Sequence, residues 1–369
     1  MLKKVLLSLA MILLVAISYL YFKPNVVKPI AWNAPKDKGL SGAFKANTVL
    51  QSVDLLDIGS AHGPEDVVID QQNWLYISVD GGRVLRMRKD GTQRSEVASG
   101  LGRPLGLALD KNDALIIADA YKGIYKLERS GELHLLVDKV VVDGIERQLK
   151  YANNLAIASN GWIYFTEASD KFGAEAYGGS YPASLLDLME HGPYGSVFVY
   201  KPESKLVEQL YKGFHFANGL ALSEDEQSLY LAETGSYRVL ELSLSDEPKV
   251  EVLVDNLPAF PDNITKGVDG KYWLGLVSPR NAMLDAISDK PKLRHMVQNL
   301  PKFLRPKATY YGHVVAFDKT GAILYSLQDP EGAYPTNTSV WETDEHLFIG
   351  SLLADGLARL NWPIEKHQK

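Results

Sequence analysis

The sequence predicts an all-β chain: a six-bladed β-propeller, preceded by one apolar helix and interrupted by short helical insertions. Three observations carry the prediction. First, one pattern recurs six times, beginning Pro64-Glu65-Asp66-Val67, Pro104-Leu105-Gly106-Leu107, Ala152-Asn153-Asn154-Leu155, Ala217-Asn218-Gly219-Leu220, Pro261-Asp262-Asn263-Ile264 and Asn337-Thr338-Ser339-Val340. Second, an apolar β run follows each start, such as Leu75-Tyr76-Ile77, Ile163-Tyr164-Phe165 or Leu347-Phe348-Ile349. Third, turn signals such as Asp80-Gly81-Gly82, Asp90-Gly91, Asn160-Gly161 and Asp269-Gly270 separate alternating runs. Short strands recurring at a near-fixed period indicate a propeller or solenoid. The Gly-His and Trp-Asp signatures of WD repeats are absent.

From the N-terminus, Lys3-Lys4 precede an uncharged apolar run over Val5 to Phe22. This run is just long enough to span a bilayer. The basic flank places the C-terminal bulk on the extracytoplasmic side, whether periplasmic, lumenal or extracellular. A cleaved signal peptide is the rival, with Ala16-Ile17-Ser18 as its cleavage region. The apolar run continues through Tyr19-Leu20-Tyr21-Phe22, which favours an uncleaved anchor over residues 1–22. Residues 23–48 hold Lys, Pro and Gly without a period and read as a linker; residues 49–369 are the propeller. Val53 to Ile58 are expected to complete the last blade and close the ring, which removes exposed sheet edges. Each repeat start lies between 40 and 76 residues from the next. The long spacings leave room for insertions, one from Ala168 to about Tyr194 in blade three and one from Asn281 to Gly312 in blade five. In the second, Leu293, Met296, Val297, Leu300, Phe303 and Leu304 recur at helical spacing among basic residues. That helix would pack on the propeller's end, cover its central pocket as a lid, or touch the membrane.

The 369 residues are 46% hydrophobic, enough for one large core or two ordinary ones, and the net charge of −6 argues against a nucleic-acid-binding surface. There is no cysteine, so neither a disulfide framework nor a thiol nucleophile exists. No Gly-x-Ser-x-Gly nucleophile elbow occurs, which disfavours a serine hydrolase.

In register, the second position of the six repeats reads Glu65, Leu105, Asn153, Asn218, Asp262 and Thr338. A cyclic array brings these side chains to one end of the central channel. Two carboxylates and two amides are the donor chemistry of calcium, and the two charges match the cation. Without histidine in the set, zinc and iron are disfavoured. Asn263 follows Asp262 and offers a further contact. The alternatives are that each Asn is a turn residue, or that the rim is polar because it lines a water-filled channel.

Further stretches extend the pattern: Gly63-Pro64-Glu65-Asp66-Val67, Arg103-Pro104-Leu105-Gly106-Leu107, Ala118-Asp119-Ala120-Tyr121-Lys122-Gly123, Phe216-Ala217-Asn218-Gly219, Glu233-Thr234-Gly235-Ser236-Tyr237-Arg238 and Phe260-Pro261-Asp262-Asn263-Ile264. In these the chain resembles the strictosidine synthase-like branch of the calcium-dependent six-bladed propellers, which includes paraoxonases and gluconolactonases. The resemblance runs from about Leu50 to the C-terminus, and the anchor resembles that of a membrane-associated member of the branch. It implies a catalytic calcium at Glu65, Asn153, Asn218 and Asp262, and hydrolysis of lactones or aryl esters. Strictosidine synthases proper carry a glutamate at the point matching Thr338, so amine condensation is disfavoured. Paraoxonases place a histidine near the metal where the stretch around Tyr121 has none. Asn154 stands where they have an aspartate for a second calcium, which puts a second ion in doubt.

The function expected is therefore calcium-dependent hydrolysis of a small-molecule ester or lactone, at a membrane and without nucleic acid. Asp262 is the candidate general base, with pure ligation as its alternative role, and Glu65 is expected to act as a ligand. Tyr121, His215, Asn263 and Thr338 are candidate pocket residues. His191 and His313 are weaker candidates. Glu233, Thr234 and Arg238 read as a structural network. Asn337-Thr338-Ser339 is a glycosylation sequon within the predicted rim. A non-catalytic, calcium-pinned binding propeller is the competing function.

Overall fold

A computed structural model describes residues 1–363; the last six residues of the predicted propeller domain, 364–369, lie outside the described residues. Six four-stranded antiparallel sheets form a closed ring. Their inner strands are Asp66–Ile69, Pro104–Leu109, Ala152–Ile157, Ala217–Leu222, Ala259–Lys266 and Asn337–Glu342, each packed against the next and the last against the first. The ring closes as the sequence predicts. Strand Asp54–Asp57 pairs antiparallel with Gly356–Asn361 as the outermost strand of blade six, so both ends of the propeller share one sheet.

Alternation explains why these runs are strands. In blade three, Ile163 and Phe165 pack towards blade two, while Tyr164, between them, packs towards blade four. Every blade is apolar on both faces, and six clusters of buried side chains fill the six gaps between blades. A seventh cluster caps one end of the ring. It joins Leu105, Tyr151 and Phe216 on the blades to Phe172, Ala183 and Met189 in the first insertion.

Four α-helices accompany the sheets among the described residues. Helix α1, Leu2–Phe22, has the length and apolarity to cross a membrane, and none of its residues is buried by the rest of the chain. Helix α2, Ser180–Glu190, belongs to the blade-three insertion; α3, Ala282–Ala286, and α4, Pro291–Asn299, belong to the blade-five insertion. The predicted helical spacing from Leu293 to Leu304 holds only as far as Asn299. Pro301 forces Leu300 into an extended conformation and ends α4. Phe303 and Leu304 therefore leave the apolar stripe, enter a short 3-10 turn and stand exposed.

Residues 23–48, which lack sequence periodicity, are no free linker but a strap fastened to the cap. The Ile30 amide donates to the Glu190 carbonyl (2.8 Å), and Trp32 to the Ser288 carbonyl (3.2 Å). Asn256 holds the Lys36 carbonyl (2.9 Å), and Val27 is fully buried. No period shows because the strap's hydrogen bonds go to other elements rather than to a regular ladder of its own.

Candidate metal centre

Local backbone geometry aims the second-position side chains. In blades two to six the pairing of the inner strand with its neighbour shifts register directly after the first repeat residue. Leu105, Asn153, Asn218, Asp262 and Thr338 sit in that irregularity. Bulges of this kind redirect a side chain that the regular ladder would commit to a face. Hydroxyls from neighbouring blades then fix the bulged backbone. Ser78 donates to the Leu105 carbonyl (2.6 Å), Thr166 to Asn218 (2.8 Å) and Thr234 to Pro261 (2.7 Å). Gly219 permits the close approach, since a Cβ there would lie 2.6 Å from the Asn263 Cα.

Glu65, Asn153, Asn218 and Asp262 all line one cavity of about 490 Å³ at the capped end of the channel, and all four are buried. The Oδ1 atoms of Asn153 and Asn218 have no hydrogen-bond partner. Thr234 accepts from the Asn218 Nδ2 (3.2 Å), which assigns that amide's free oxygen to the cavity. A buried acceptor without a donor is costly, unless a cation completes it.

The carboxylates have the same deficit. Burial raises the Asp262 carboxyl well above its ordinary range, and repulsion from Glu65 raises it further against the Asn218 amide. Burial raises Glu65 to about 7, opposed by Arg103, whose guanidinium lies 3.2 Å away. Two mutually repelling buried carboxylates and two unsatisfied amide oxygens suit a divalent cation, which would let both acids ionise. Among the described residues no group of three or more His, Cys, Asp and Glu side chains is placed to hold a metal. This centre is a mixed carboxylate–amide set, with amides in place of soft ligands.

The remaining pocket expectations require correction: Tyr121, His215, Asn263 and Thr338 do not line the cavity. Asn263 neighbours Asp262 and faces a deeper layer, where its Oδ1 accepts from Asn154 (2.8 Å). Thr338 is fully buried and donates to the Glu65 carbonyl (2.6 Å), joined by Ser339 (3.0 Å). It braces a candidate ligand rather than meeting a substrate. Tyr121 follows the second strand of blade two, one strand further from the axis, and packs into the cap cluster. His215 stacks on His191 (4.0 Å), which stacks on Trp32 of the strap (3.9 Å). His313 is buried in blade five beside Ser326 (3.0 Å). Glu233 accepts from Arg238 (2.5 Å) and from the His215 amide (2.9 Å), the structural role expected of that pair, whereas Thr234, grouped with them in the sequence, lines the cavity. The sequon residue Asn337 is fully buried, its Oδ1 held by the His313 amide (2.7 Å).

Sequence reasoning missed Tyr151, Phe216 and Phe260, which form the apolar wall above the four polar groups. The signal was present, because each stands two positions before a candidate ligand in the same register. Phe216 adopts a left-handed backbone (φ 63°), uncommon for an aromatic residue. The rest of the wall comes from the insertions, including Tyr181, Leu185, Met189 and Leu284.

Comparison with known proteins agrees with this architecture. Residues 42–87 match the family model "Strictosidine synthase-like, N-terminal", and residues 153–247 match "Strictosidine synthase". Adipocyte plasma membrane-associated protein of Rattus norvegicus is 30% identical over 91% of this chain and 93% of its own length. Protein strictosidine synthase-like 4 of Arabidopsis thaliana is 29% identical over 86% of this chain and 85% of its own. Among solved structures, a gluconolactonase from Xanthomonas campestris superposes with TM-score 0.61 at 21% identity, covering 93% of this chain and 99% of that one. Regucalcin of Agrobacterium tumefaciens, a calcium-binding protein, superposes with TM-score 0.52 at 14% identity, covering 86% and 93%. With its six blades, its polar ring and these relatives, the chain belongs to the strictosidine synthase-like family of β-propellers.

Proposed function

We propose that this protein is a membrane-anchored, calcium-dependent hydrolase of carboxylic esters or lactones, with its propeller on the extracytoplasmic side. The observation that carries the reading is the pair of unsatisfied amide oxygens, Asn153 Oδ1 and Asn218 Oδ1, in one cavity with the buried carboxyls of Glu65 and Asp262. Those four residues would hold the ion. When bound, calcium supplies Lewis-acid polarisation of the substrate carbonyl and stabilisation of the developing oxyanion. Glu65 serves as a ligand, kept in place by Arg103 and by the hydroxyls on its carbonyl. Asp262 serves as the base that takes a proton from the attacking water. The aromatic wall of Tyr151, Phe216 and Phe260 orients the apolar part of the substrate and limits water. The likeness to a gluconolactonase supports ring-opening hydrolysis as the reaction class. Thr338 provides no carboxylate where a condensing enzyme would need one, and its hydroxyl is engaged with Glu65.

The test is turnover of aryl esters and lactones by the full-length protein, with calcium and with a chelator. The expected outcome is activity lost at least about 100-fold on chelation and in Asp262→Ala. Turnover indifferent to both would overturn the proposal. Calcium-dependent melting without turnover of any ester would identify a binding propeller.

A further inference from the structure

The blade-five insertion carries an unusual charge distribution. Between residues 290 and 312 stand Lys290, Lys292, Arg294, Lys302, Arg305 and Lys307 without a single Asp or Glu, in a chain of net charge −6. Lys302, Arg305 and Lys307 line the mouth of the cavity, and none of them has a carboxylate partner among the described residues. Between them Phe303 and Leu304 project into solvent, 84% and 55% exposed. A large aromatic and a leucine, bracketed by unpaired cations, are out of place on a surface that meets only water.

The same insertion is fastened to the end of α1. Asn299, the last residue of α4, donates through Nδ2 to the carbonyls of Leu20 and Lys23 (2.8 Å each), which α1 leaves unsatisfied at its C-terminus. His295 Nε2 lies 2.9 Å from the Lys23 carbonyl, and Lys292 lies over the Tyr21 ring. Tyr19 and Tyr21 are the kind of residues that mark the boundary between hydrocarbon and headgroups. Asn299 is therefore held at that boundary, and Lys302 follows it by three residues. The 3-10 turn Lys302–Leu304 cannot stand far from the lipid.

We infer that the turn around Phe303 is a second membrane contact: Phe303 and Leu304 enter the bilayer that α1 spans, while Lys302, Arg305 and Lys307 meet its anionic headgroups. The inference rests on α1 being a membrane anchor and is independent of the hydrolytic reading. Apolar side chains ringed by Lys and Arg are the means by which surfaces bind anionic lipid. The mouth of the cavity then opens against the membrane, and amphiphilic molecules dissolved in lipid reach it without crossing bulk water.

Because the chain has no cysteine, one introduced thiol can be labelled uniquely. Full-length Phe303→Cys, Leu13→Cys and Lys111→Cys, each carrying a nitroxide, are reconstituted into vesicles of phosphatidylcholine with phosphatidylglycerol. Lys111 lies in the turn between the first two strands of blade two, at the end of the channel opposite the mouth. Collision with oxygen and with a water-soluble nickel complex reports immersion. The expected result is a several-fold higher oxygen-to-nickel ratio at Leu13 and Phe303 than at Lys111. The Phe303 value is expected to fall when Lys302, Arg305 and Lys307 are changed to Glu in the labelled protein. A Phe303 label as accessible to nickel as Lys111, while Leu13 stays in lipid, overturns the inference. A water-exposed Leu13 label overturns it together with the anchor.

Discussion

At the residue scale, the candidate centre depends on side chains that never touch a substrate. Thr338 occupies the same register as the four candidate ligands, yet it spends its hydroxyl on the Glu65 carbonyl of the adjoining blade. Thr338→Val is expected to cost about 1 kcal/mol of stability, and to weaken calcium binding about 10-fold by releasing the Glu65 backbone. Calorimetric titration of the variant checks the affinity, and denaturant unfolding checks the stability. Buried titratable groups set the pH response. His313 is lowered to about 3 by burial, and His191 to about 2. The unfolded chain therefore binds protons in a range where the folded one does not, and stability is lost as pH falls below about 6.5. Asp187, on α2, works in the opposite sense. Burial raises it to about 8 from 3.8, with Glu190 and Asp170 adding to the rise and Ser169 and Lys171 opposing it. The stability of its neutral form is present below about 4 and is lost as pH rises towards 8. Asp187→Asn is therefore expected to stabilise the protein at pH 8 more than at pH 5, which thermal melts at the two values measure.

At the scale of elements, legibility followed periodicity. The strands were readable because period-two apolar runs and Asp-Gly turns repeat, and each blade confirms the reading of the next. The column of candidate ligands is legible for the same reason: Asn153 and Asn218 are ordinary turn residues taken singly, and only the register brings them to one cavity with Glu65 and Asp262. Asn263 was misplaced because adjacent residues on a strand face opposite ways, so it cannot join Asp262 in the cavity. Tyr121 and His215 were misplaced because they lie on segments set by insertion packing, which has no period. The strap over residues 23–48 lacks a period for the same reason, because its hydrogen bonds go to the cap. Its removal has a measurable consequence. A chain beginning at Lys23 keeps Val27 buried and Trp32 stacked on His191, whereas a chain beginning at Thr48 loses both. The shorter chain is expected to be less stable by about 2 kcal/mol or more, read from denaturant unfolding.

At the scale of the whole molecule, the ring is closed by its own first strand, and the strap and α1 meet the insertions that cap one end of the propeller. Strand Asp54–Asp57 seals the ring, the strap crosses the cap, and α1 ends against α4. The cap insertions supply most of the apolar wall, while the blades supply the polar floor. Under the proposed function this division would separate chemistry from specificity, because the floor is set by the repeat and the wall by insertions outside it. Whether Glu65, Asn153, Asn218 and Asp262 form one cation site is decided by calcium titration of the full-length protein after chelation and dialysis. The expected result is one calcium bound per chain, with binding abolished in Asp262→Ala and weakened in both Asn153→Ala and Asn218→Ala. A folded wild-type protein that takes up no ion at millimolar calcium, or variants that bind as the wild type does, would contradict it.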